Sequence, residues 1–248
     1  MLNNANEILF RASSVGLLMV EPRSKTESIS ESTKTHLVDV FVSKKYGRST
    51  DISNRYTNKG LQVEEDSITL FSRMKKTFYK KNEDRISNQF ICGTPDLYAG
   101  DSIQNAELII DIKSSWDIFT FFRSANDSLN KRYYWQLQAY MALSGATKSK
   151  LVYCLINTPD PLLQDEKRRL MYKMNVISEL DKDYNEACDE IDRLGVYDDI
   201  PMAERFFEIE VERNDADIER LYNRVKECRI WMDENLFKVN QQLLTEAI

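Results

Sequence analysis

In the segment Leu108-Ile109-Ile110-Asp111-Ile112-Lys113 an apolar run ends in an acid and an amine two residues apart. Strand side chains alternate, so Leu108, Ile110 and Ile112 share one face while Ile109, Asp111 and Lys113 share the other. A continuous apolar run is typical of a sheet centre, and this one delivers a carboxylate and an ammonium side by side at its end. Alone, Asp111 and Lys113 could be a surface ion pair that neutralises itself. Asp96 raises the stakes. It follows the turn Gly93-Thr94-Pro95 after a second apolar run, Phe90-Ile91-Cys92, and adjacent strands would set it near Asp111. Two carboxylates that close repel one another unless a proton or a cation lies between them. Hard divalent cations such as Mg²⁺ or Mn²⁺ take oxygen ligands, commonly one or two carboxylates plus waters and substrate phosphates in the case of Mg²⁺. A lysine beside such an ion suits orienting or deprotonating an attacking water. The set reads as equipment for phosphodiester hydrolysis.

A third acid joins from a predicted amphipathic helix spanning about Tyr56 to Lys80. At about 100° per residue from Leu61, the side chains of Val63, Ile68, Leu70, Phe71, Met74 and Phe78 fall between roughly 180° and 340°. Glu64 falls at roughly 300°, inside that arc, whereas Glu65 and Asp66 fall outside it, at roughly 40° and roughly 140°. An ionised carboxylate aimed at a core costs several kcal/mol unless paired. Its partner is either a structural salt bridge, or else a metal ion or catalytic cluster. On a later helix Gln136 and Tyr140 are four apart and share a face, with Tyr133 one turn earlier. Gln136 could steer the lysine, a water or a phosphate; Tyr133 reads as an aromatic packed under the sheet.

The elements that must hold these residues follow from periodicity and punctuation. The stretch EPRSKTESISEST (21–33) reads as a loop. Thr35 to Lys45 reads as a helix, Asn88 to Leu97 and Ala106 to Lys113 as strands, and Leu129 to Leu143 as a helix ended by Gly145. Leu151 to Ile156 is a third strand, closed by Asn157 and Pro159. The rest is mainly helical, with a strand at Phe206–Val211 and a last helix from about Asp215 to Phe237. This pattern predicts a mixed α/β fold in a single domain, 1–248, with its core at about 56–158 and a mainly helical C-terminal elaboration at 159–248. No internal repeat or low-complexity tract is present, and 160–204 has no role assigned by the sequence.

Composition narrows the chemistry further. Cys92, Cys154, Cys188 and Cys228 lie tens of residues apart with no CxxC pair, against zinc or iron–sulfur ligation and in favour of reduced, partly buried thiols. His36 is the only histidine and reads as an ordinary helix residue, which excludes multi-histidine metal sites. No run of about 18 apolar residues exists, so no membrane span is expected. The start MLNNANEILF lacks a basic region followed by a long apolar one, so the expected location is the cytoplasm. The net charge of −6 argues against a basic surface throughout. Basic clusters at Lys44-Lys45, Arg48, Lys75-Lys76, Lys80-Lys81 and Lys131-Arg132 nevertheless stand in the first 132 residues. The stretch 181–219 is acidic, so a local phosphate track remains open.

Taken in order, Glu64 on a helix, Pro95-Asp96, Asp111-Ile112-Lys113 and Gln136-x-x-x-Tyr140 resemble the PD-(D/E)XK nuclease superfamily. Within it the chain looks most like the lambda-exonuclease or YqaJ-type phage recombination nucleases. Gly60-Leu61-Gln62-x-Glu64-x-Asp66 leading into Thr69-Leu70-Phe71 carries that likeness, as do Ala12-Ser13-x-Val15 and Pro22-Arg23-Ser24. It covers roughly 10–156; beyond, only Val211-Glu212-Arg213-Asn214 is loosely similar. The resemblance implies a three-layer αβα, restriction-endonuclease-like core with a mixed central sheet, and hydrolysis of DNA with two Mg²⁺ ions, Mn²⁺ substituting. It implies that Asp96, Asp111 and the Ile112 carbonyl ligate the ions, with Glu64 at the second. Lys113 would position or activate the water, supported by Gln136. Ser13 matches a residue that contacts the 5′-phosphate of a DNA end. The family's arginine seven residues earlier is replaced by Asn6, for which Arg11 is the candidate substitute. Tyr140, Lys131 and Arg132 complete the expected DNA contacts. Such enzymes degrade the 5′ strand of duplex ends, often as toroidal trimers, and pass the 3′ overhang to a single-strand annealing protein. Asp111 stands where a glutamate is commoner. The rival readings are a structure-specific or restriction-type endonuclease on the same core, and a non-catalytic DNA-binding or assembly module.

Overall fold

The apolar run at Leu108 forms an inner strand of a four-stranded mixed sheet. The computed structural model describes residues 4–49, 55–178 and 181–239; the first three residues, part of the segment read for a leader, lie outside it. Strand β5 (Leu108–Ser114) lies between β4 (Leu97–Ala99), antiparallel to it, and β6 (Lys148–Cys154), parallel to it. β7 (Phe206–Glu212) closes the far edge antiparallel to β6. A smaller mixed sheet joins β1 (Phe10–Arg11), β3 (Ile91–Gly93) and β2 (Ile86–Ser87), in that order.

The helices are α1 (Val15–Leu18), α2 (Glu31–Tyr46), α3 (Arg55–Gln62), α4 (Glu64–Lys75), α5 (Ile118–Asn126), α6 (Lys131–Ser144), α7 (Asp160–Met174), α8 (Lys182–Gly195) and α9 (Asp215–Met232). The alternation along β5 sorts them into layers. Ile110 and Ile112 join Leu97, Val152 and Cys154 under Ile68, Leu70 and Phe71 of α4. Ile109 on the opposite face joins Leu151, Tyr153 and Val211 under Leu137, Ala139 and Met141 of α6, with Leu221, Val225 and Met232 of α9 behind. Each buried leucine or isoleucine contributes about 1.5–3 kcal/mol of transfer free energy, so both faces are held in place. The result is the expected αβα sandwich. β7 and α9, from the C-terminal third, complete the sheet and the larger core. α7 and α8 pack chiefly on each other.

Several elements differ from the sequence expectation. The single helix over Tyr56–Lys80 is two, α3 and α4, bent at Val63, whose backbone (φ −106°, ψ 11°) leaves the α region while its side chain turns fully inward. Two hydrogen bonds still cross the bend, Val63 N to Lys59 O and Ser67 N to Val63 O. α4 then stops at Lys76, in the left-handed region at φ 52°, so Phe78 is exposed instead of joining the apolar face. The strand over Asn88–Leu97 is also two, β3 and β4, in different sheets. Pro95 offers no N–H to a ladder and restricts Thr94, so pairing breaks there. α2 starts earlier than Thr35 because Ser30 caps it, its Oγ accepting from Thr33 N. α5 has no counterpart in the sequence expectation; Asp117 caps it by accepting from Thr120 N. Gly145 ends α6 as expected, at φ 82°. His36 lies on α2; Cys92, Cys154 and Cys228 are buried and Cys188 half-buried, all as free thiols. Among the described residues no helix is long and apolar enough to cross a membrane.

Candidate active site

β5 carries the two central groups. Asp111 is 1% exposed, and its Oδ2 lies 2.7 Å from Lys113 Nζ. Among the described residues that ion pair is the one close contact of Oδ2, a buried oxygen with no other partner. Asp111 Oδ1 accepts from Gln136 Nε2 at 2.9 Å. Because Leu97 pairs with Ile110, the residue before Leu97 arrives beside Asp111 and Ile112. Asp96 Oδ2 accepts from Ile112 N at 2.7 Å. Burial first, and then the Asp111 charge, push the Asp96 carboxyl up to about 7, against the opposing pull of Lys113 and the Ile112 N–H. Two acids therefore share a space where the second charge is unfavourable, as the sequence suggested. Burial disfavours the Lys113 ammonium, but Asp111 and then Asp96 outweigh it and hold the group charged, above the ordinary lysine range.

The far side of the pair is held by a chain of hydrogen bonds. Gln136 Nε2 also donates to Tyr140 Oη (3.1 Å), which donates in turn to Thr94 O (3.4 Å). Tyr140 is 4% exposed. Expected at the DNA, it lies instead beneath the acids and ties α6 to the segment that carries Asp96. Burial, then Asp111, raise its phenol above the ordinary range. Gly93 makes room for that ring: a Cβ there would lie 2.7 Å from Tyr140 Cε1 and 2.9 Å from Ala12 Cβ. Tyr133, read as a packing residue, faces the same centre. Lys113 Nζ sits 5.0 Å from its ring centroid, and Tyr153 meets it edge-on at 6.4 Å. Its spacing of three from Gln136 is the signal that placed it there.

Glu64 opens α4 at the rim of the same cavity, about 780 Å³, which Asp96, Asp111, Ile112, Lys113, Tyr133 and Gln136 also line. The bend at Val63 brings it to the edge of the buried face, with its side chain 22% exposed. Ser67, one turn on, bonds Ser114 of β5 through their hydroxyls at 2.8 Å and fixes the helix to the strand. Of the two partners left open by the sequence, the structure shows the salt bridge: Glu64 Oε2 lies 3.0 Å from Lys81 Nζ. Among the described residues no three acid, histidine or cysteine side chains already stand together as a metal cage. The donor set near Asp96 and Asp111 is nevertheless all oxygen, with Asp111 Oδ2 held only by the Lys113 ammonium, and suits a hard divalent ion.

Asn82 was missed by the sequence reading. It is 6% exposed; its backbone N–H donates to Asp96 O (2.8 Å), and its Nδ2 to Pro95 O (2.9 Å) and Asp84 O (3.1 Å). A single asparagine in a run of charged residues carries no pattern that would reveal such a clamp. Arg11, Ser13, Lys131 and Arg132 are exposed and line no part of the acid cavity. The turn holding Ser13 packs on α6, and Gly16 lets α1 approach so closely that a Cβ there would lie 2.6 Å from Arg132 Cα. Lys131 and Arg132 thus open α6, beside Asn130, which does line the cavity, while Arg11 lies on β1 opposite Cys92.

No protein-family model and no curated protein matches the sequence. Solved structures do resemble it. A phage-related exonuclease from Haemophilus somnus 129PT aligns at TM-score 0.70 and 25% identity, over 97% of each chain. An alkaline exonuclease, LHK-Exo, from Laribacter hongkongensis aligns at TM-score 0.64 and 14% identity over 96% of this chain and 94% of that one. The same enzyme in complex with dAMP aligns at 0.63 and 15%, with the same coverage. The chain shares the fold of these phage-related and alkaline exonucleases, consistent with the PD-(D/E)XK nuclease superfamily.

Proposed function

We propose that this protein is a divalent-metal-dependent deoxyribonuclease that removes nucleotides from the ends of duplex DNA. The observation that carries the reading is the convergence of Asp96, Asp111, Lys113 and Gln136 in one cavity, with Asp111 Oδ2 buried and met only by the Lys113 ammonium. The full-length likeness to exonucleases supports it.

Asp96 and Asp111, with the Ile112 carbonyl, would hold Mg²⁺ or Mn²⁺, and the resemblance adds a second ion at Glu64. When bound, such an ion lowers the pKa of a water and offsets charge on the phosphate. Gln136 keeps Asp111 turned toward that position by occupying Oδ1. In the metal-free protein Asp111 and then Asp96 hold Lys113 charged, the form that donates. Its role is to donate: it orients the attacking oxygen and stabilises negative charge building on the phosphate. Asn82 and Tyr140 keep Asp96 in place from outside the cavity. Arg11, Ser13, Lys131 and Arg132 supply the surface for the DNA end, with 5′-to-3′ digestion, a trimeric assembly and handover to an annealing protein implied by the family.

Linear duplexes labelled at either end, with and without a 5′-phosphate, test this with Mg²⁺ present. The expected result is nucleotide release from linear DNA, an intact closed circle, and a loss of several orders of magnitude in Asp96→Ala and Lys113→Ala. Equal inertness of wild type and variants across metals and ends would end the enzymatic reading; nicking of the circle would favour an endonuclease.

A further inference from the structure

The Glu64–Lys81 pair is part of the fold's design of the centre, because both ends of the segment carrying Lys81 are fixed. Tyr79 stacks on Phe71 of α4, ring centroids 5.2 Å apart, and its N–H bonds Ser72 Oγ. Asn82 clamps Pro95 and Asp96. Lys81 is thereby carried between the start of α4 and Asp96. Its ammonium bonds Glu64 and also feels Glu65 and Asp96. The centre has a lysine on each flank: Lys113 on Asp111 and Lys81 on Glu64.

Charge counting shows what this does. With Asp96 ionised, as a metal ligand must be, the three carboxylates Glu64, Asp96 and Asp111 against two ammoniums leave −1. One divalent ion makes that +1, matched to a single phosphodiester charge. A second ion with both lysines in place would make +3, and would have to displace Lys81 from the carboxylate it needs. Lys81 can leave, since its side chain is 39% exposed and a phosphate oxygen would give its ammonium a new charge-assisted bond.

Resting on the metal-dependent reading above, we propose that Lys81 is a gate on the Glu64 side of the centre. The free protein takes one divalent ion, at Asp96 and Asp111. A second joins at Glu64 only once DNA has drawn Lys81 away. Lys81 is thus a positioning residue that couples completion of the metal centre to arrival of the substrate.

The test counts bound Mn²⁺ per chain by calorimetry and by the electron paramagnetic resonance of the free ion, on the full chain without DNA. One ion is expected on wild type and on Lys81→Arg, two on Lys81→Gln, and one on Glu64→Gln, which lacks the gated position. Adding a duplex with a non-hydrolysable phosphorothioate end should raise wild type to two. Two ions on free wild type, or a count of one on Lys81→Gln, overturns the gate while leaving the nuclease assignment intact. Absence of Mn²⁺ binding with and without DNA overturns both.

Discussion

Replacing Asp96 by asparagine should destroy activity and stabilise the metal-free protein. The substitution keeps the size and an oxygen able to accept from Ile112 N, but removes one of two crowded charges. The Asp96 carboxyl is displaced from an ordinary 3.8 to about 7, chiefly by burial and by Asp111. At about 1.36 kcal/mol per pH unit that corresponds to roughly 4 kcal/mol of strain in the ionised wild type. Water entering the open cavity screens part of it, so about 2 kcal/mol is the expected gain, or about 4–8 °C in Tm for a chain of this size. The sign varies with pH in a defined way. Below about pH 4 folded and unfolded wild type both carry the proton, and the two proteins converge in stability. Between pH 4 and 7 only the unfolded chain ionises, so wild-type stability falls as pH rises. Above pH 7 the gap is complete. Thermal unfolding in EDTA at pH 4, 6 and 8 measures it, and Mg²⁺ should then raise the Tm of wild type more than that of Asp96→Asn. A variant less stable than wild type at pH 8, or a gap that ignores pH, would refute the picture of two acids forced together.

Gly93→Ala should cost about 1–3 kcal/mol in urea unfolding, because its methyl meets the Tyr140 ring and Ala12, and the DNA-digesting activity should fall as Tyr140 is pushed off Thr94 and Gln136. Asn82→Ala should cost about 2–3 kcal/mol by the same measurement, since it removes buried bonds to Pro95 and Asp84 and frees the loop before Asp96. A native thiol titration should find Cys188 alone reactive: burial pushes Cys154 and Cys228 up to about 12, and Cys92 is enclosed, while all four react after denaturation.

The local sequence determined what the central strand would offer. Alternation in Leu108–Lys113 assigns faces by a period of two that no packing can alter, so Asp111 and Lys113 were bound to emerge together. The spacing of Gln136 and Tyr140 was legible for the same reason, and the motif order pointed to the αβα layers that the structure shows. Tertiary structure alone decided what each group touches. One helix through Tyr56–Lys80 and one strand through Asn88–Leu97 satisfied the periodicity; the inward turn of Val63 and the missing N–H of Pro95 divided both, and those divisions place Glu64 at the rim and Asp96 beside Ile112. Whether Tyr140 met DNA or lay beneath the acids depended on how closely Gly93 let α6 approach. Lys81 looked like any solvated lysine, because the bond that gives it meaning joins residues whose proximity is set by Asn82 and Tyr79, through contacts that no sequence period encodes.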